Sequence, residues 1–248
     1  MSRLPFILLP PSESKALGGA ARGRTSALSG LLADQRESLV ASLAALSGDR
    51  AAVERLTRVR GALLERASDS IERLVAGDAA LLATWRRYTG VVWTHLEPST
   101  LTPSQRRRIL VPSALYGVTA GEDPIADYRL TFHATVAGCG PLGAFWRDPV
   151  TGAVRAVAGH SPIVDLLPAE HRRALDLERL AGATRLIAVR FQTADGNRAI
   201  GHAAKAVKGV LARRLLVDGL AALDSFVWGP WRGAVLDDRV AVIRAYGV

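Results

Sequence analysis

The sequence predicts an α+β or mixed α/β fold, built as a single domain over residues 1–248 around a mixed central sheet. Three observations support this class. Helical periodicity dominates an N-terminal segment, short apolar strands alternate with helices beyond it, and no linker, repeat or change in composition divides the chain. The composition is 49% hydrophobic and 22% charged, which excludes a wholly disordered chain, and the length suffices to bury a large core.

The N-terminal part indicates one strand, then a polar loop, then helices. Residues 6–9 are a short apolar run that ends at two prolines, which predicts a buried strand. Residues 12–26 are rich in Gly, Ser, Lys and Arg and are predicted to be an exposed loop. Between residues 27 and 88 leucines recur at i, i+3 and i+4 spacing, so we expect helices there, interrupted at residues 47–49 and near Gly77.

The rest of the chain mixes strands and helices. Short apolar runs predict strands at residues 109–111, 163–165, 184–191, 226–228 and 239–245, and alternating polarity predicts a half-exposed strand at residues 128–136. Helical patterns cover residues 104–108, 143–157 and 203–217, and we expect Pro149 to break or kink the second of these. These elements together predict the mixed sheet.

Two glycine-rich segments imitate nucleotide-binding motifs. Residues 18–25 have the glycine spacing of a P-loop, but Arg24 stands where the phosphate-binding lysine is required. Residues 138–143 read G-x-G-x-x-G, with Asp165 about twenty residues further on, as in a dinucleotide fold. The preceding segment alternates in polarity, however, and Pro141 removes a backbone donor. We therefore expect a plain glycine-rich turn there rather than a Rossmann site.

Metal, nucleophile and membrane signals are weak. Cys139 is the single cysteine, which excludes a disulfide framework and a cysteine-rich zinc site and fits a reducing cytoplasm. The five histidines are scattered, and neither H-E-x-x-H nor G-x-S-x-G occurs. No apolar stretch approaches the roughly eighteen residues of a membrane span. We expect no metal site, no cofactor and no membrane partner, and the catalytic residues, if any, stay unidentified.

The charge balance favours anionic partners. Lysine and arginine number 32 against 23 acidic residues, a net charge of +9, and only Lys15, Lys205 and Lys208 are lysines. Such a balance is typical of proteins that bind nucleic acid or nucleotides, although a solvated arginine-rich surface also explains it. A lysine retained in an arginine-rich chain is a candidate for a role that its compact ammonium performs and a guanidinium does not.

Three segments carry candidate binding residues. The first follows the strand at residues 6–9, where ligand loops of α/β sheets are common. The second joins a buried strand to a turn with two tyrosines, which can stack on bases, and an arginine, which can bind phosphate. The third opens a helix, where two lysines at i, i+3 spacing meet the positive helix end. The candidates are Ser12, Lys15, Ser113, Tyr116, Tyr128, Arg129, Lys205, Lys208 and Arg213.

These segments carry a family resemblance. The order of PPSESK, VPSALYGV with DYRL, and GHAAKAVKG resembles the YaaA family of peroxide stress proteins from residue 6 to about residue 246, in a form similar to its actinobacterial members. The resemblance implies a cytoplasmic protein that limits peroxide damage, partly by lowering free iron. It also implies DNA binding through a helix-hairpin-helix-like element and a basic cleft. By motif position the cleft residues are Lys15, Tyr128, Arg129, Lys205 and Lys208. Residues 119–122 depart from the more basic turn of other members.

Two functions stay open. One is a cytoplasmic peroxide or oxidative stress protein that binds DNA, with little sequence preference, or another phosphate-bearing ligand through the basic cleft. The other is an enzyme acting on a nucleotide or nucleobase-like small molecule in the same cleft, with Lys15 as candidate base or nucleophile. Because the sequence offers no cluster of metal ligands, we expect any effect on iron to be indirect.

Overall fold

A mixed eight-stranded sheet with helices on both faces organises the chain, and the predicted α+β class is confirmed. The computed structural model describes residues 4–20 and 26–246. The strands in these ranges are β1 (Phe6–Leu8), β2 (Leu82–Ala83), β3 (Ile109–Ser113), β4 (Gly117–Ala120), β5 (Pro124–Ile125), β6 (Thr135–Val136), β7 (Gly140–Pro141), β8 (Ile163–Asp165), β9 (Leu186–Gln192), β10 (Val227–Trp228), β11 (Trp231–Val235) and β12 (Val240–Ala245).

Helices connect most of these strands. In the same described ranges they are α1 (Ala27–Gly30), α2 (Ala33–Ala44), α3 (Arg50–Thr57), α4 (Ala62–Ala76), α5 (Thr84–Arg87), α6 (Val91–Leu96), α7 (Pro103–Arg106), α8 (Leu142–Ala158), α9 (Ala169–Arg172), α10 (Leu177–Ala181) and α11 (Gly201–Asp218), with 3₁₀ turns at Pro98–Thr100 and Gly219–Leu223. No helix in the described part of the chain is long and apolar enough to cross a membrane.

The point at which the strand order changes direction lies near the centre of the sheet. The order is β10-β11-β12-β9-β8-β1-β3-β4, and the inner strands β12, β9, β8, β1 and β3 are mutually parallel. Antiparallel strands close both edges. The chain moves from β1 to β3 on one side and later returns to β8 on the other side. The carboxyl ends of β1 and β8 therefore flank a topological switch point, where α/β sheets commonly bind ligands.

The parallel strands are buried on both faces. Phe6 and Leu8 point into one apolar cluster, together with α2, α4 and α8, whereas Ile7 and Leu9 point into a second cluster with α6 and α11. Because both faces are covered, the strand has no polar side, and this explains the continuous apolar runs from which these strands were predicted.

The predicted strand at residues 128–136 is wrong. Its even-numbered residues are buried and its intervening residues are more exposed, yet only Thr135–Val136 pairs, in a hairpin with Gly140–Pro141 outside the main sheet. An extended loop packed on a core produces the same alternation as a strand. The hairpin confirms a glycine-rich turn in place of a dinucleotide site. The end of the P-loop-like segment, residues 21–25, lies outside the described residues.

Helix α8 runs without the break expected at Pro149. Trp146, Val150 and Val154 lie at i, i+4 and i+8 and are fully buried against the same core. Burying three large apolar side chains contributes roughly 5–8 kcal/mol, which exceeds the roughly 3 kcal/mol cost of an internal proline. The strands β4 and β11 were not predicted; each follows its antiparallel partner, β3 or β10, through a short turn.

Candidate ligand-binding cavity

A cavity of about 890 Å³ opens at the carboxyl ends of the parallel strands. Its walls come from residues 10–15 after β1, residues 166–172 after β8, the end of β9 and the start of α11. We name this space the strand-end cavity. It lies at the switch point of the sheet, and its volume falls within the range of small-molecule sites, roughly 300–1,000 Å³.

The loop after β1 is fixed by hydrogen bonds that its backbone carbonyls accept from the α5–α6 region. The indole Nε1 of Trp93 donates to the carbonyl of Pro10 at 3.2 Å, and the backbone N–H of Thr89 donates to the carbonyl of Ser14 at 3.2 Å. Gly90 leaves room for Ser12, whose hydroxyl would clash with any Cβ at that position. The loop therefore presents Ser12 and Lys15 to the cavity on a positioned backbone.

A buried arginine that sequence reasoning missed holds the far side of this loop. Arg87 is 1% exposed, and its guanidinium donates to the carbonyls of Ala16, Gly18, Ala80 and Ile125. No carboxylate within the described ranges forms an ion pair with it. An arginine can satisfy several carbonyls at once because its five N–H donors spread in a fixed fork.

Lys15 lies on the cavity wall against two tyrosine rings. Its Nζ is 4.7 Å from the ring centroid of Tyr128 and 5.6 Å from that of Tyr88. Burial, and next the positive charge of Arg129, lower the pKa of Lys15 to about 7, against the opposing effect of Asp127. At neutral pH about half of the Lys15 amine is therefore unprotonated, whereas an ordinary lysine has a pKa of about 10.4.

A hydrogen-bonded chain of hydroxyls lies behind Lys15. Ser113 Oγ donates to the hydroxyl of Tyr128 at 2.8 Å, and the hydroxyls of Tyr128 and Tyr88 are 2.8 Å apart. Burial raises the pKa of both tyrosines, so both remain protonated and neutral. Tyr116 accepts a hydrogen bond from the backbone N–H of Ala126, and burial raises its pKa to about 12. Ser113 and Tyr116 thus form a buried layer behind the cavity rather than its wall.

Charged side chains surround the Lys15 loop from the other side. Arg66 pairs with Asp127 and donates to the carbonyl of Lys15 at 3.0 Å. Arg129 donates to the backbone carbonyl of Glu13, while its Nε is buried and has no hydrogen-bond partner among the described residues. Arg129 therefore holds the loop and contributes its charge from outside the cavity wall.

The opposite wall carries the other two lysines, on the first turns of α11. Lys205 is exposed at the mouth, and Lys208 is half-buried with its Nζ 5.3 Å from the ring centroid of Phe191. Burial is the main cause that lowers the pKa of Lys208 to about 8; Asp165 raises it, and Arg172 and other cations lower it further.

Asp165 at the end of β8 is a second residue that sequence reasoning missed at this site. Its side chain is fully buried, with Oδ2 2.8 Å from Nε of Arg172 and Oδ1 accepting from the backbone N–H of Leu167 at 2.8 Å. Burial raises the pKa of Asp165, and the charge of Arg172 opposes that effect. As the last residue of a predicted strand, it was considered only as the acidic residue of a dinucleotide motif.

His171 lies on the same wall and is neutral. Burial, and next the charges of Lys208 and His133, lower the pKa of His171 to about 4. Its Nδ1 lies 3.1 Å from a carboxylate oxygen of Glu170, but a neutral imidazole forms no ion pair there. Elsewhere in the described residues, no three His, Cys, Asp or Glu side chains converge in a way that could hold a metal ion.

The structure brings together five of the nine candidate residues. Ser12, Lys15, Tyr128, Lys205 and Lys208 line the strand-end cavity. Three more lie next to it: Ser113 and Tyr116 behind the cavity, and Arg129 outside its wall.

Arg213 is not brought to the cavity. It contacts Thr100 and lies 3.9 Å from Glu97, beyond the cavity end of α11. Residues 109–120 form the β3–β4 hairpin, and Glu122 after it pairs with Arg106. The helix-hairpin-helix-like element stays a prediction.

The fold and cavity define an α+β protein with a small-molecule-sized site at the switch point of its sheet. The sequence model of the family described as peroxide stress protein YaaA matches residues 6–228. The chain therefore belongs to this family, as its sequence motifs predicted.

Curated relatives support this membership. A UPF0246 protein of Streptomyces coelicolor is 34% identical over 229 residues, which cover 87% of this chain and 84% of the relative. A UPF0246 protein of Corynebacterium efficiens is 34% identical over 219 residues, 85% of this chain and 84% of the relative. A third, from Salinispora tropica, is 27% identical over 220 residues. These actinobacterial relatives confirm the predicted resemblance.

Proposed function

We propose that the strand-end cavity binds a small phosphate-bearing ligand of nucleotide size, and that this cytoplasmic protein serves the peroxide stress response through that ligand. The observation that carries the proposal is the convergence of Lys15, Lys205 and Lys208 on one cavity. Two of these amines are half-buried without a carboxylate at ion-pair distance among the described residues. A half-buried amine without a counter-ion favours an anionic ligand over an empty cavity.

The phosphate end of the ligand fits the start of α11. Lys205 and Lys208 lie on one face of its first turns, and the exposed Arg198 precedes them on the same wall. The N-cap residue is Ile200, which has no side-chain acceptor, so the first backbone N–H groups of the helix are uncapped. Uncapped N–H groups, the helix dipole and lysine side chains together stabilise a bound phosphate.

The rest of the cavity suits a ring. Trp93, Tyr128, Phe132 and Phe191 contribute aromatic surface to its walls. Stacking of a base on an aromatic side chain contributes roughly 1–3 kcal/mol and is tolerant of base identity. A nucleotide combines a planar ring with a phosphate, which is why we favour a nucleotide-like ligand.

DNA is the second candidate ligand, favoured by the net charge of +9 and by the exposed arginines 190 and 198 at the cavity mouth. A cavity of about 890 Å³ accommodates a nucleotide, whereas a duplex would contact only its rim. Binding to phosphates along a duplex would be steeply salt-dependent and indifferent to sequence. The enzyme alternative, with Lys15 as base or nucleophile, uses the same cavity.

The substitution Lys208→Met should weaken binding of AMP or inorganic pyrophosphate by roughly ten- to a hundredfold, because a hydrogen bond to a charged group contributes about 1.5–3 kcal/mol. Wild-type affinity should also fall as pH rises above about 8, where Lys208 loses its proton. Calorimetric titration measures both effects. The matched control is Arg213→Met on the same helix, which should leave the Kd unchanged.

Three outcomes separate the candidates. Loss of nucleotide binding in Lys208→Met, with duplex DNA binding absent, supports the small-ligand proposal. Duplex DNA binding that weakens steeply with salt and persists in Lys208→Met would show that DNA binds the protein surface outside the cavity. If neither AMP, pyrophosphate nor DNA binds wild-type protein at low salt, the proposed function is wrong.

A further inference from the structure

We infer that Lys15 forms an imine with an aldehyde or ketone group on the phosphate-bearing ligand of the strand-end cavity. The inference rests on the proposed function and deepens it, since it names a second functional group of the ligand. Its substrate class is a phosphate-bearing carbonyl compound no larger than a nucleotide.

The amine of Lys15 is held inside the cavity and not in bulk water. Lys15 Nζ lies on the cavity wall, 5.6 Å from the ring centroid of Tyr88 and 4.7 Å from that of Tyr128, and no carboxylate in the described ranges pairs with it. The nearby carboxylate of Asp127 is paired with Arg66. A surface lysine normally extends its ammonium into water, so a lysine held against rings inside a cavity has given up that hydration.

The charge around the amine is on balance positive. Arg129 and Arg66 contribute positive charge on the loop side of Lys15, and together with burial they outweigh the opposing Asp127 and Glu13. The two tyrosines remain neutral and supply no counter-charge. Desolvation combined with a neighbouring cation is the arrangement that keeps a lysine amine neutral and nucleophilic at neutral pH.

The cavity separates Lys15 from the other two lysines. Lys15 is on the loop after β1, whereas Lys205 and Lys208 are on α11, so the lysines occupy separate walls. A ligand whose phosphate is bound at α11 presents its other end to the Lys15 wall. In the reaction the neutral amine attacks the carbonyl carbon, a C–N bond forms, and the resulting carbinolamine loses its oxygen as water, which carries away both amine protons. No oxidant or reductant is needed.

The experiment uses the full chain with pyridoxal 5′-phosphate as a probe that carries both an aldehyde and a phosphate. Cyanoborohydride reduces any imine to a stable amine, and peptide mass spectrometry locates the adduct. Since the chain has only three lysines, every ε-amine is read out. At about pH 7 we expect Lys15 to be labelled at least roughly tenfold faster than Lys205, because about half of the Lys15 amine is neutral and nucleophilic.

The pH dependence of labelling and two substitutions test the inference further. The labelling rate of wild-type protein should rise through about pH 7 and then level off, which requires no variant. The substitution Lys15→Arg should abolish the fast adduct, and Arg213→Met, on α11 but away from the cavity, should not. Equal labelling of the lysines, labelling of Lys208 in preference to Lys15, or a rate that keeps rising beyond about pH 9 would overturn the inference.

A comparison with pyridoxal, which lacks the phosphate, separates this inference from the proposed function. If both hold, the phosphate should accelerate labelling of Lys15 about tenfold, equivalent to about 1.4 kcal/mol of binding. If Lys15 is labelled fast and equally by both probes, the imine stands and the phosphate site fails. If pyrophosphate binds while Lys15 stays unlabelled, the phosphate site stands and the imine fails.

Discussion

Arg87→Met is expected to lower the free energy of unfolding by about 3–5 kcal/mol, the largest effect we predict for a single substitution. Removing the guanidinium leaves the carbonyls of Ala16, Gly18, Ala80 and Ile125 without their donors beneath the Lys15 loop. Each unsatisfied buried polar group costs about 1–3 kcal/mol, and methionine occupies much of the volume without replacing any donor. Urea denaturation followed by tryptophan fluorescence measures the change.

The matched control for Arg87→Met is its neighbour on the same short helix. Arg86 is exposed, so Arg86→Met should change stability by no more than about 0.5 kcal/mol. Because Arg87 also fixes the loop that carries Lys15, Arg87→Met should slow labelling of Lys15 by the aldehyde probe. A loss of stability below about 1 kcal/mol would show that the four carbonyls find other donors, and that Arg87 does not position the loop.

Lys15→Met is expected to raise the free energy of unfolding by about 2 kcal/mol at about pH 6 and to leave it nearly unchanged above about pH 10.5. The pKa of Lys15 is about 7 in the folded protein and about 10.4 in the unfolded chain. Below pH 7 both states are protonated and the cost of burying the charge is fully present. Between these two pKa values the unfolded chain binds more protons, so wild-type stability rises with pH until the cost is gone.

The quantity to measure is the difference in the free energy of unfolding between wild type and Lys15→Met at each pH, because the other groups titrate equally in both proteins. Lys205→Met, at an exposed position of the same cavity, should stay within about 0.5 kcal/mol of wild type at every pH. A Lys15→Met variant that is less stable than wild type at about pH 6 would mean that the ammonium is favourably bound in the folded protein. The expected rise in the free energy of unfolding of Lys15→Met measures how much stability the protein loses by keeping a functional lysine at this position.

Much of the scaffold was predictable from sequence, because it depends on patterns that are local. Strands β1, β3, β8 and β9 begin as continuous apolar runs, since both faces of the sheet are covered, and the leucine spacing of α2 and α4 marks their buried faces. The loop after β1 was predicted to bind a ligand because α/β sheets commonly bind ligands at the carboxyl ends of their strands. The cavity lies at these strand ends.

The residues that sequence reasoning missed depend on distant partners. Arg87 binds carbonyls up to 71 residues away, and no local spacing distinguishes it from the exposed Arg86. Asp165 acquires its raised pKa from burial at the centre of the sheet, which only the strand order reveals. Arg213 was included because it continues the basic helix, but it lies five positions beyond Lys208 and contacts Glu97 instead.

The most direct test of the account is a pH titration of the lysine side chains by NMR, with isotope-labelled lysine, with and without AMP. Three lysines give three resolvable ammonium groups. We expect the Lys15 and Lys208 signals to titrate with midpoints of about 7 and about 8, and we expect bound AMP to shift both signals and raise the Lys208 midpoint, because a phosphate favours the charged amine. Midpoints at the ordinary lysine value for both residues, with signals that AMP leaves unmoved, would contradict the strand-end cavity as a site for a phosphate-bearing ligand.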